Sequence, residues 1–151
     1  MPILKCRFFF DTSVVIAALL SPKGAAGELM RLVEAEVVTM VVSETVIREA
    51  DGVLSTKFPE LAQEGRGLWK HLHPEIAPTP TAAQLKPFAK KLPTGNAMIL
   101  CAAQSVKVSA FVTWNTRDFM APGISSLAAF PIVVPGQALK LFRAWMDPLI
   151  Q

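Results

Sequence analysis

The run Phe8-Phe9-Phe10-Asp11-Thr12-Ser13 constrains this chain more than any other stretch. Bulky apolar side chains that rise to an abrupt carboxylate read as a buried strand ending at Asp11. The residues that follow at once, Val14-Val15-Ile16-Ala17-Ala18-Leu19-Leu20, read as an amphipathic helix. A buried strand that passes directly into a helix is the opening unit of an open α/β sheet, and ligands and metals gather at the carboxyl edge of such sheets. Asp11 stands at that edge. Two roles are open to it, a cap for the helix, which Asp fills well, or one member of an acidic site. The choice depends on whether other acids return to the same edge.

The chain downstream alternates helices and strands. Ser21-Pro22-Lys23-Gly24 is a turn, and residues 25–36 carry Leu29, Met30, Leu32 and Val33 at helical spacing. Val37 to Val42 is a β-branched run that suits a second buried strand, after which Ser43 caps a helix striped by Val46, Ile47, Ala50, Val53 and Leu54. On that helical wheel Glu44 and Asp51 fall opposite the stripe and Glu49 lies on its flank, so Glu49 alone of the three points along the core edge.

Residues 59–71 and 81–91 read as helices joined by a proline-rich connection over 74–80. Leu92-Pro93-Thr94-Gly95-Asn96 is a turn and cap cluster opening a buried helix over 97–104. Residues 109–114 form a further strand closed by the acidic turn Asn115-Thr116-Arg117-Asp118-Phe119. A short strand over 131–134 and a helix over 136–146 complete the chain. Strands alternating with helices predict a parallel sheet covered on both faces.

Length and composition narrow the class. A chain of 151 residues is the size of one domain and buries roughly 68–70% of its unfolded surface. Apolar residues make up 52% and charged ones 18%, which excludes a disordered or coiled-coil chain. The apolar stretches fall well short of the roughly 18–20 residues that span a bilayer. Met1 to Arg7 runs into Asp11 without a small-residue cleavage site and reads as the start of the first strand, so a cytoplasmic protein with no membrane association is expected.

Cys6 and Cys101 lie in apolar runs without metal-ligand spacing and read as buried thiols. His71 and His73 are two residues apart, a spacing that does not share a helix face, and read as surface side chains at a helix end. The net charge of +3 is compatible with a polyanionic partner, although the basic residues are dispersed.

Asp11, Glu49 and Asp118 are therefore the acids able to meet at one edge. Clustered carboxylates repel one another without a cation, and hard oxygen donors of this kind select Mg²⁺ or Mn²⁺. No His or Cys stands nearby in sequence to serve as a nucleophile. Metal-activated water is the natural attacking group, and phosphodiester hydrolysis the natural reaction.

The blocks FFFDTSVVIAALLSPKGAAGELMRL, VVSETVIREADGVL, GNAMILCAAQ and AFVTWNTRDF, in that order, resemble the PIN-domain nucleases and, among them, the VapC-like toxin components of toxin–antitoxin pairs. The resemblance implies a single PIN-like domain over residues 1–151, a three-layer α/β/α sandwich with a central, mainly parallel sheet of four or five strands. It implies catalytic acids at Asp11, Glu49 and Asp118, with Asn115 beside the last and hydroxyls at Thr12, Ser13 and Thr113 lining the site. One or two Mg²⁺ or Mn²⁺ ions would be held by Asp11, Glu49 and Asp118, together with Asn96.

At Asn96 the family usually carries Asp, in a DAxxLAAA-like run. An amide oxygen can bind a cation or its water but adds no charge, and the alternative for Asn96 is a plain helix cap. Lys90, Lys91 and Arg117 flank the acidic turns and are candidates for contacting RNA phosphates. The expected partners are RNA, a small antitoxin and a second copy of the chain.

Two other readings stand beside the ribonuclease. One is a PIN-like domain that has lost catalysis and binds RNA or protein. The other is a receiver-like phosphoacceptor, disfavoured because such a site would place two adjacent acids after the first strand, where Asp11 stands alone.

Overall fold

The computed structural model describes residues 6–147, so the expected start of the first strand at Met1 to Lys5 lies outside the described residues. Five strands form one parallel sheet: β1 (Cys6–Phe10), β2 (Val38–Ser43), β3 (Glu75–Ala77), β4 (Ala110–Val112) and β5 (Ile132–Val133). Their order across the sheet is β3-β2-β1-β4-β5. Successive side chains of a strand point to opposite faces, and Phe8, Phe9 and Phe10 are each fully buried. The central strand is therefore covered above and below, as its unbroken apolar run predicts.

Among the described residues eight α-helices accompany the sheet: α1 (Thr12–Leu20), α2 (Ala25–Glu34), α3 (Glu44–Lys57), α4 (Ala62–Leu72), α5 (Ala82–Ala89), α6 (Thr94–Gln104), α7 (Thr116–Phe119) and α8 (Pro135–Met146). The turn after α1 sets α2 at 97° to it. The approach is so close that a Cβ on Gly27 would lie 2.0 Å from the Pro22 carbonyl oxygen. Ser43 caps α3, its hydroxyl accepting from the Val46 amide at 3.4 Å. Among the described residues no single helix is long and apolar enough to cross a membrane.

The expected helix over 59–71 begins as a short 3₁₀ turn, Pro59–Leu61, before α4. A larger correction falls in the proline-rich connection, which contains β3. Only three residues long and bracketed by Pro74 and Pro78, it pairs on one side only, with β2, in the register Val42↔Ile76. Proline is tolerated at such an edge because the missing amide faces away from the ladder. The acidic turn over 115–119 likewise contains the one-turn helix α7.

The chain runs outward from β1 through β2 to β3, then returns to the other side of β1 with β4. The carboxyl ends of β1 and β4 thus flank the point where strand order reverses, which is where open α/β sheets leave a crevice.

Candidate active site

Asp11 and Thr113 stand one residue beyond the paired ends of β1 and β4, where Phe10 is in register with Val112. The Asp11 amide extends that ladder by donating to the Val112 carbonyl at 3.0 Å. Asp11 occupies the cap position of α1, yet its side chain makes no capping hydrogen bond. Its Oδ2 instead accepts from the Ser13 hydroxyl at 2.7 Å and from the Thr113 hydroxyl at 2.8 Å. A purely capping role therefore does not account for Asp11. The carboxyl is 3% exposed. Burial pushes its proton affinity above the ordinary carboxylate range, and the two hydroxyls pull the other way by stabilising the charged form.

Glu49 reaches the same place from α3. Its Oε1 accepts from the Thr12 hydroxyl at 3.0 Å, so consecutive residues of α1 hold the two acids, Thr12 on Glu49 and Ser13 on Asp11. Partial burial raises the proton affinity of Glu49. The Thr12 hydroxyl opposes this, and the nearby Asp11 charge adds to it. Glu44 and Asp51 face away as expected, paired with Arg48 and Arg66.

A residue absent from the sequence-based candidates, Gly95, completes this corner. A Cβ there would lie 2.6 Å from Glu49 Oε2. Gly95 is not among the positive-φ glycines, so its missing side chain rather than its backbone freedom makes room for the carboxylate. A glycine in the first turn of a largely apolar helix is the signal that could have found it.

Asp118 is held differently. Its Oδ2 accepts from the side-chain amides of Asn96 at 2.9 Å and Asn115 at 3.1 Å, and its own amide donates to Asn115 Oδ1 at 3.3 Å. Asn115 in turn donates its backbone N–H to the Thr113 hydroxyl at 2.9 Å, which ties this cluster to Asp11. The turn that carries Asp118 is anchored from below by Phe119, whose ring lies 4.9 Å from that of Phe111, itself stacked on Phe9 at 5.4 Å.

Of the two roles open to Asn96, the plain helix cap is not the one seen. The helix α6 begins three residues before the expected start, at Thr94, with Pro93 in the cap position. Asn96 is then inside the first turn, where its side chain is free to reach Asp118. Pro93 takes an extended cap conformation, φ −55° and ψ 152°, its ring fixing that φ, and the helix starts at the next residue.

The basic candidates separate. The Arg117 side chain is 92% exposed and its Nε lies 3.6 Å from Asp118 Oδ1. Lys91 Nζ donates to the Gly123 carbonyl at 3.4 Å, in the loop after α7, and Lys90 is exposed at the end of α5. His71 lies at the surface, paired with Glu34, and His73 ends α4 in the left-handed conformation. Both cysteines are free and buried, and burial pushes the Cys6 thiol up to about 12.

Among the described residues no group of three or more His, Cys, Asp or Glu side chains is placed to hold a metal together. Asp11 and Glu49 are two hard oxygen donors near enough for the charge of one to act on the other, and that donor chemistry fits Mg²⁺ or Mn²⁺. Asp118 already has two amide donors on one oxygen.

Comparison with known proteins bears on the fold and the family. Residues 7–117 match the profile of the PIN domain. No curated relative matches in sequence. Among solved structures the fold is similar to that of a chain in VapBC2 from Rickettsia felis, determined bound to a DNA fragment from their promoter. The TM-score is 0.60 at 14% identity, over 85% of this chain and 98% of that one. With its parallel five-stranded sheet and with most of its length matched by the family profile, the chain belongs to the PIN-domain family of nucleases.

Proposed function

We propose that the chain is a metal-dependent ribonuclease, the toxin of a toxin–antitoxin pair, with Asp11, Glu49 and Asp118 as its catalytic acids. The observation that carries the reading is the buried Asp11 carboxylate at the β1/β4 switch point, clamped by Ser13 and Thr113 and electrostatically coupled to Glu49. Asp11 and Glu49 would hold Mg²⁺ or Mn²⁺. A bound ion of this kind supplies an acidified water and stabilises charge on the leaving oxygen.

The chain's own residues do the rest. Ser13 and Thr113 keep Asp11 in one orientation, and Thr12 with Gly95 keeps Glu49 beside it. Asn115 and Asn96 hold Asp118, and the Asn96 carbonyl oxygen is the end left to face a cation or its water. Arg117, Lys90 and Lys91 supply positive charge for RNA phosphates at the rim. The fold shared with the VapBC2 chain supports a small antitoxin as partner, and homodimerisation follows from the family resemblance.

A second reading, an RNA- or protein-binding module without catalysis, is favoured by one observation. Asn96 satisfies Asp118 with a hydrogen bond where a carboxylate would require a cation. The test is cleavage of structured and unstructured RNA with Mg²⁺, with Mn²⁺ and with chelator, beside Asp11→Ala. Metal-dependent cleavage lost in Asp11→Ala supports the ribonuclease. Silence in the parent with activity in Asn96→Asp selects the second reading.

A further inference from the structure

Away from the acidic edge, the fold brings together four side chains that the sequence holds in two pairs, Glu34 with Glu36 and His71 with His73. All four line one cavity of about 260 Å³, which also touches the buried Met40 and Leu72. The cavity lies where α2 and α4 end and β2 begins. In a parallel sheet that is the opposite end from Asp11, which follows the last residue of β1.

Two residues apart, His71 and His73 would not share a face of a continuous helix. The helix is not continuous between them. It ends at Leu72, and His73 takes the left-handed conformation at φ 47°, so the helical wheel no longer governs where its side chain goes. Glu36 does the same beyond α2, at φ 63°. His71 meanwhile reaches across to α2, where its Nε2 meets Glu34 Oε1.

Charge favours a cation here. Among the described residues that line the cavity none is Lys or Arg, and the carboxyl-terminal ends of α2 and α4 add partial negative charge to that of the two glutamates. Imidazole nitrogens beside carboxylate oxygens are a donor set for Zn²⁺, whereas the all-oxygen edge at Asp11 and Glu49 suits Mg²⁺ or Mn²⁺.

We propose that His71, His73 and Glu34 bind a Zn²⁺ ion that staples the end of α2 to the end of α4, with Glu36 adding charge at its side. As they stand the donors do not surround one point. The ion draws them in, and the pair that already meets is free to adjust, the His71 and Glu34 side chains being 63% and 48% exposed. This site is separate from the acids and does not depend on the ribonuclease reading.

The test uses the full chain, stripped of metal and then kept in excess Mg²⁺ to fill the acidic edge, titrated with Zn²⁺ in a calorimeter. One equivalent is expected to bind. Its affinity should fall by at least about tenfold in His71→Ala and in His73→Ala, since even an outer-shell partner of a metal ligand is worth that much, and should stay unchanged in Asp11→Ala. Zn²⁺ should also raise the melting temperature of the parent and not that of His71→Ala, because an ion bound only by the folded chain stabilises it. Both histidines lie at the surface, so melting without metal should be the same in the parent and in the two variants.

No Zn²⁺ binding in excess Mg²⁺ overturns the proposal, and so does an unchanged affinity in either histidine variant. Affinity lost in Asp11→Ala and kept in the histidine variants puts the ion at the acidic edge and overturns it as well.

Discussion

Asn96 sets the electrostatics of the site. As Asn it donates to Asp118; as Asp it would face that carboxylate with a like charge. In chelator, Asn96→Asp should lose about 1–3 kcal/mol of stability as the hydrogen bond is replaced by repulsion. The same variant should bind Mn²⁺ on the order of tenfold more tightly, because ligand charge count tunes affinity for hard cations. Melting with chelator and calorimetry with Mn²⁺ read the two effects separately. Asp11 governs the pH dependence. Burial raises the proton affinity of Asp11, and likewise of Glu49, above that of the unfolded chain. The folded state then binds more protons than the unfolded one, so this contribution to stability is complete below the unfolded carboxylate range and is lost as pH rises through the folded values. Asp11→Asn, which has no charge to bury, is expected in chelator to melt a few degrees above the parent at pH 7, with the gap closing below about pH 4. Gly95→Ala separates stability from activity. A helical Ala is at least as favourable as Gly, but the new Cβ meets Glu49 Oε2. Thermal stability should stay within about 1 kcal/mol of the parent, while the RNA cleavage rate drops because Glu49 is displaced from Thr12.

At the scale of elements, what could be read from the sequence depended on how local its signal was. The strand β1 and its closing Asp11 were legible because an apolar run that stops at a carboxylate has few other interpretations, and the Ser43 cap and Val46-Ile47-Ala50 stripe placed Glu49 on the inner flank of α3. The strand β3 was not legible: three residues between prolines carry no periodicity, and they become a strand only because the edge of β2 is there to pair with. The start of α6 lies three residues before the expected one for a similar reason, since Thr, Gly and Asn are all good cap residues and the local chemistry does not choose among them. Gly95 is not legible either, because its importance lies in the Glu49 carboxylate that the fold brings next to it. The seam between α1 and α2 makes an element-scale prediction. Gly27→Ala would drive a methyl group into the Pro22 carbonyl, backbone against backbone with no flexible side chain to yield. A loss of about 3 kcal/mol or more is expected, read as a lower denaturant midpoint, whereas alanine at the unobstructed Gly52 should cost nothing.

At the scale of the whole molecule, the site is a product of strand order. Asp11 and Thr113 are 102 residues apart in the chain, and no local pattern predicts their hydrogen bond; it follows from β4 pairing beside β1 at the switch point. Through Thr113 the same topology ties Asn115, and with it Asp118, to that corner. A shared edge also explains why hydroxyls and amides surround the acids, since each carboxylate withdrawn from water needs donors until a cation arrives. The central claim is that water activated at these acids breaks an RNA phosphodiester bond, and the most direct measurement is end-group analysis of the products formed in ¹⁸O-labelled water. Mass spectra of an unstructured RNA incubated with the chain and Mn²⁺ should show linear terminal phosphates carrying one solvent ¹⁸O and no 2′,3′-cyclic phosphate, and no product with chelator or with Asp11→Ala. Cyclic phosphate ends, or cleavage that persists in chelator or in Asp11→Ala, would contradict it.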